Sequence, residues 1–153
     1  IWAITAEGVP ELPEPQKQRV ETAIHVALTQ YAIHQQARGE RMHVPHRSFG
    51  SAIRRLAETQ SAGEPYDTPV YRRFTAMAAA TTIDGLLPHA RGLITQLRGA
   101  DIGFDYGRYA DDLYWLQVPG RSAGVRRGWG RAFHHLTTDP NDTADQPATA
   151  EGA

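Results

Sequence analysis

The polar chemistry of this 153-residue chain must come from 7 histidines, 17 acids and 16 bases, because there is no cysteine. That absence removes a thiolate metal site, a cysteine nucleophile and a disulfide scaffold together, and it is compatible with a cytoplasmic protein. The histidines offer two close pairs. His43 and His46 stand three apart among arginines, while His134 and His135 are adjacent and would face different ways on a helix. Zinc takes four protein ligands in structural sites and usually three in catalytic ones. No carboxylate stands at ligand spacing to complete either pair, so no metal and no cofactor is expected. His34 lies near an apolar stripe and reads as a core or interface histidine. Asp111 and Asp112 could in principle do acid–base work. Arg108 precedes them at helical spacing, however, and intrahelical pairing is the simpler reading. There is no glycine-rich phosphate loop and no nucleophile elbow. The residues therefore predict no enzyme and no small-molecule substrate.

What remains is cationic. The formal net charge of −1 hides a partition. Glu7, Glu11 and Glu14 near the start, with Asp139, Asp142, Asp145 and Glu151 near the end, hold seven of the 17 acids and no base. Residues 15–137 thus keep 10 acids against all 16 bases, a net of +6. Lys17 is the only lysine; the rest are arginines, better bidentate phosphate ligands and also what a GC-rich genome encodes. One cluster is Arg38, Arg41, Arg47, Arg54 and Arg55, opposed by Glu40 and Glu58. The other is Arg121, Arg126, Arg127 and Arg131, with no acid from Val118 to Thr138. Arg127, Arg131 and His134 fall on one helical stripe, holding like charges four apart where a surface helix usually interleaves acids. Each cluster reads either as an ordinary solvated face or as a set of phosphate contacts, which position a protein on nucleic acid without reading sequence.

These side chains need helices to carry them. From Glu14 to about Ala37, Val20, Ile24, Ala27, Leu28 and Tyr31 recur at helical spacing, with Gly39 as a stop. A linker follows, roughly Glu40 to Arg47. Ser48 caps a short helix with Phe49, Ala52, Ile53 and Leu56 inward, which leaves Arg54 and Arg55 facing solvent. A loop at Gly63, Pro65 and Tyr66 precedes Thr68 and Pro69, a cap followed by a first-turn proline; that helix buries Val70, Phe74, Met77 and Ala78. Thr82 begins a helix running to Arg98 and Gly99, where Pro88 either kinks it or moves its start later. Asp105 caps a helix through Leu116, stopped by Pro119 and Gly120. Ser122 caps the last helix, with Val125, Trp129, Ala132, Phe133 and Leu136 inward. Tyr114, Trp115 and Leu116 need cover from the last helix or from another subunit.

No alternating strand is seen, and no apolar run is long enough to cross a membrane. The expected class is all-α, a helical bundle of five to six helices in two small lobes. Residues 1–62 form an N-terminal lobe incomplete at its start, 63–137 a C-terminal bundle, and 138–153 a disordered acidic tail. The start at Ile1 reads as trimmed and not as a signal peptide.

Five pieces in order carry a resemblance. They are ALTQYAIHQQ (27–36), RSFGSAIRRLA (47–57), RRFTAMAAATTIDGLLPHARGLITQLR (72–98), DYGRYADDLYWLQVP (105–119) and VRRGWGRAF (125–133). In order and spacing this set resembles the CasB family, the small subunit of the type I-E CRISPR Cascade surveillance complex, and it covers most of residues 27–133. The resemblance implies a two-lobed, all-α, non-catalytic subunit in antiviral defence. It implies two copies head to tail, contacts with other Cascade subunits, and backbone contacts to CRISPR RNA and target DNA that stabilise the R-loop. In other guided effectors, too, pairing with the guide supplies the specificity. By the same resemblance the basic role falls to Arg54, Arg55, Arg72, Arg73, Arg126, Arg127 and Arg131, and Trp129 belongs to the core. Two departures stand out: the family usually opens with a further basic, helical N-terminal segment, and Pro88 replaces an ordinary helix former. A purely protein-binding helical adaptor, with arginines meeting acidic partners, is the alternative.

Overall fold

A computed structural model describes residues 12–61 and 63–135. Among them six α-helices follow one another: α1 (Glu14–Gln35), α2 (Phe49–Gln60), α3 (Pro69–Ala79), α4 (Ile83–Gly99), α5 (Tyr106–Leu116) and α6 (Ser122–His134). A single 3-10 turn, Pro65–Asp67, precedes α3. Among the described residues there is no strand, only an isolated bridge between His43 and Phe104, and no helix is long and apolar enough to cross a membrane. The fold class is therefore all-α, as the sequence predicts. The residues expected in the acidic tail, and Leu136, lie outside the described residues.

The helix starts are local chemistry. Ser48, Thr68 and Thr82 each accept a hydrogen bond from the backbone N–H three residues on, at 3.1 Å, satisfying one of the donors a helix leaves orphaned. Asp105 does more. Its Oδ1 accepts from the N–H groups of Gly107 and Arg108, and its Oδ2 from the N–H of His46, 59 residues earlier. Ser122 is not a cap: Arg121 occupies the cap position without a side-chain bond, and Ser122 is the first helical residue. Pro88 does not shift the start of α4, which stays at Ile83. Pro88 and Asp84 are both exposed, so the Asp84 carbonyl freed by the missing N–H lies where water can reach it.

Helix α1 ends at Gln35, before the expected Gly39. The Gln35 carboxamide fixes the exit: Nε2 donates to the carbonyls of Arg38 and Glu40, and Oε1 accepts from the N–H of Met42. Ala37 takes a left-handed φ of 56° to make the turn, a strained choice for a residue with a Cβ. The segment beyond is no loose linker. Met42 is buried, and its carbonyl accepts from Phe104 while Val44 N–H donates to the Phe104 carbonyl. Gly103 sits under this contact, where a Cβ would press on the Met42 carbonyl.

One core runs through all six helices. Helix α1 packs on α4 and α5, α2 packs on α6, α3 and α4, and α3 packs on α4, so helices from both sides of residue 62 share it. Phe49 is its hub, with Phe104, Tyr109, Trp129 and Phe74 rings 5.1–6.4 Å away. Gly50 lets α2 approach α6 so closely that a Cβ there would meet the Trp129 carbonyl. The expected inner faces of α2 and α3 are buried, except that Ala78 is only half-buried.

The stripe of α1 differs from expectation. Its buried residues are Ala23, Val26, Ala27, Gln30 and His34, and Leu28 is 53% exposed. Polar groups could enter this face because tyrosines of α5 meet them. Tyr109 donates to Gln30 Oε1 at 2.7 Å, and the Tyr106 hydroxyl lies 2.9 Å from His34 Nδ1. A buried polar group with a partner is tolerated where an unpaired one is costly.

Candidate nucleic-acid interface

The structure divides the expected arginines into two sets. Several end on the protein's own backbone. Arg54 does not face solvent: its side chain is 15% exposed, donates to Glu58 at 2.7 Å, and reaches across to the Phe133 carbonyl of α6 at 3.0 Å. It turns inward because α6 packs against α2 and offers an unpaired carbonyl in its last turn. Arg126 donates to the Ala80 carbonyl at the end of α3 at 2.6 Å. Arg47 donates to the Gly103 carbonyl, and Arg38 pairs with Asp101 at 2.9 Å. Arg55 is half-buried and is held by contacts within the fold. Arg73 lies over Gly92 of α4, in the space a Cβ would fill, yet remains exposed.

The others are exposed. Arg72 makes a long ion pair with Asp67, 3.7 Å, in which both side chains are largely solvated. Arg121 lies over the Trp115 ring, 5.5 Å from its centroid. Helix α5 packs on α6, and Tyr114 and Leu116 at its end are partly buried against the core, whereas Trp115 remains 43% exposed, with Arg121 at the start of α6 as its cation–π partner. Arg41, Arg127 and Arg131 are exposed, and no hydrogen bond or ion pair among the described residues holds them. On α6 the sequence SAGVRRGWGRAFH contains no acid. The helix turns Trp129 and Phe133 into the core and presents Arg127 and Arg131, one turn apart, outward. His134 continues that stripe and stacks on Tyr66, with centroids 5.2 Å apart and planes 22° apart.

Two groups carry unusual protonation. Asp112 does not pair with Arg108 in a hydrogen bond. Arg108 donates to the His46 carbonyl instead, and Asp112 Oδ2 accepts from Trp129 Nε1 at 2.7 Å. Burial raises the Asp112 carboxyl to about 6, against the Trp129 hydrogen bond and the nearby Arg108 charge, with Asp111 adding to the rise. His34 is fully buried, and that burial lowers it to about 4; the Ile102 carbonyl opposes the shift and Arg98 adds to it. Its Nε2 meets no partner at hydrogen-bond geometry. Both groups tie helices together, Asp112 bonding to Trp129 of α6 and His34 meeting Tyr106 of α5. Among the described residues no group of three or more histidines and acids is placed to hold a metal ion. Tyr66 is a surface residue that the sequence shows only as part of a loop; nothing local marks it, because its partners lie 12 and 68 residues away.

Fold and surface together define an all-helical scaffold whose last helix carries a bare cationic face. Its relatives are consistent with that class. The family model for CRISPR-associated protein Cse2 matches residues 2–134. The crystal structure of CasB from Thermobifida fusca superposes with a TM-score of 0.73 at 39% identity, covering 84% of this chain and 71% of that one. No curated protein matches the chain at a comparable level. The chain belongs to the CasB (Cse2) family and is thereby a subunit of Cascade in CRISPR defence.

Proposed function

We propose that this chain is a non-catalytic scaffold subunit of Cascade that grips the backbones of CRISPR RNA and target DNA and stabilises the R-loop. A second copy of itself and the other Cascade proteins complete its surroundings. The observation that carries this reading is α6, where Arg127 and Arg131 stand exposed and without partners among the described residues on a helix with no acid. Such a stripe binds phosphates with strong salt dependence and little regard for sequence. Of the other candidates, Arg41, Arg72, Arg73 and Arg121 are exposed enough to join it. Arg38, Arg47, Arg54, Arg55 and Arg126 contribute charge to the field while their donors are wholly or partly engaged.

Mobility of a labelled single-stranded DNA at low salt tests this against the adaptor reading. The wild-type chain should shift the strand. The double variant Arg127→Ala, Arg131→Ala should weaken binding and flatten the logarithmic salt dependence by about 1.4, the slope expected of two lost phosphate contacts on a single strand. Unchanged affinity and slope, or an R-loop equally stable in Cascade carrying the variant, would refute the assignment and favour acidic protein partners.

A further inference from the structure

The stripe on α6 does not end in another charge. It ends in His134, which is exposed and stacked on Tyr66, itself 42% exposed. The pair is held by several contacts. The Tyr66 hydroxyl lies 2.8 Å from His134 Nδ1, and Arg54 Nη1 approaches the same hydroxyl at 3.4 Å. The Arg54 guanidinium carbon is also 5.6 Å from the Tyr66 centroid. Below, Tyr66 meets Tyr71 and Phe133 edge to face, at 5.3 and 5.5 Å, which anchors the ring to the core. Glu58, on the neighbouring α2, is already paired with Arg54 at 2.7 Å. An exposed aromatic stack braced by hydrogen bonds and ring contacts, on the same helix face as unpaired arginines, has more structure than backbone binding requires.

We propose that His134 and Tyr66 form a stacking platform for an unpaired base, so that α6 takes a single strand of nucleic acid. Its phosphates lie along Arg127 and Arg131, and one base seats on the imidazole face that Tyr66 leaves free. This rests on the backbone-binding reading above and adds to it a preference for unpaired bases. A duplex keeps its bases inside its own stack and cannot use the platform, whereas any single-stranded base presents a π face. The platform sees the base and not the sugar, so DNA and RNA strands should both use it.

The test uses the full chain and four probes of equal length: oligo-dT, oligo-rU, an abasic strand with the same phosphates, and a blunt duplex. His134→Ala should weaken oligo-dT and oligo-rU binding by roughly fivefold or more, the loss expected for one stacked base, and leave abasic and duplex binding unchanged. His134→Phe, which restores an aromatic face, should recover the loss. Arg127→Ala with Arg131→Ala should weaken all four probes. If His134→Ala weakens all four alike, weakens only one of the two base-bearing strands, or weakens none while the arginine variant still acts, the platform is refuted and the backbone reading stands. If the wild-type chain binds no probe, both fall.

Discussion

Replacing Asp112 with asparagine should uncover a pH dependence of stability that the wild-type chain conceals. Asp112 is raised by burial from 3.8 to about 6. A group whose folded value lies above its unfolded value contributes stability that is full below the unfolded value and is lost as pH rises through the folded one. That difference corresponds to about 3 kcal/mol lost between roughly pH 4 and pH 6. His34 runs the other way. Burial lowers it from 6.5 to about 4, so its contribution is full above 6.5 and is lost as pH falls through 4, again about 3 kcal/mol. The two windows nearly coincide and the slopes oppose, so their sum is close to flat. In Asp112→Asn the His34 slope is no longer opposed. The asparagine oxygen still accepts from Trp129 Nε1, so packing is kept. Urea unfolding across about pH 4 to 7, followed by far-ultraviolet circular dichroism, should show the variant gaining about 3 kcal/mol on the wild type as pH rises. The converse variant, His34→Gln, should lose stability relative to the wild type over the same range. A difference between Asp112→Asn and wild type that stays constant with pH would refute the reasoning, because every other titrating group cancels in that difference.

Three further outcomes are expected. Gly50→Ala should cost about 1–3 kcal/mol in urea unfolding, since the new Cβ presses on the Trp129 carbonyl and forces α2 off α6. Asp105→Ala should cost about 2 kcal/mol by releasing the N–H groups of Gly107, Arg108 and His46. Burial works against the charge on Asp105, but those bonds and His43 hold its carboxyl below the usual range, so the stabilisation it gives is present above the usual carboxylate value and fades as pH falls further into acid. Arg126→Ala should cost about 1–2 kcal/mol by freeing the Ala80 carbonyl, while Arg127→Ala should change stability by less than about 0.5 kcal/mol; equal costs would mean that the division of the arginines is wrong.

The parts legible in the sequence are those set within a few residues. Ser48, Thr68, Thr82 and Asp105 read as caps because a cap bonds to the next turn of its own chain. The apolar faces of α2 and α3 read correctly because nothing polar interrupts them. Helix α1 misleads because its inward face includes Gln30 and His34, whose hydroxyl partners stand 79 and 72 residues away. Arg54 looks solvent-facing for a similar reason: the carbonyl that draws it in belongs to Phe133, 79 residues on. Asp112 invites pairing with Arg108 on its own helix, but the indole of Trp129 on the packed neighbour takes it. In each case a helix–helix contact decides, and spacing within one helix cannot show it.

The same contacts explain why arginine serves this chain in two ways. Helix ends and turns leave carbonyls without intrahelical partners, and here arginines reach several of them. Arg98 bonds the Ile33 carbonyl near the end of α1, Arg126 that of Ala80 after α3, and Arg54 that of Phe133 near the end of α6. A guanidinium suits the task because it has several donors in a fixed plane and keeps its charge when partly buried. A capping arginine therefore still adds to the electrostatic field of the body, but the donors it spends on the carbonyl are withdrawn from any phosphate. Long-range attraction should follow the total cationic charge, whereas the salt slope of the bound complex should follow only the exposed arginines. Arg54→Ala and Arg126→Ala should accordingly slow association and cost stability with little change in salt slope, while Arg127→Ala and Arg131→Ala should each lower that slope by about 0.7 on single strands. Stopped-flow association rates and equilibrium salt titrations on these four variants separate the two contributions, and a slope that falls equally for all four would mean that the capping arginines leave their carbonyls to hold phosphate.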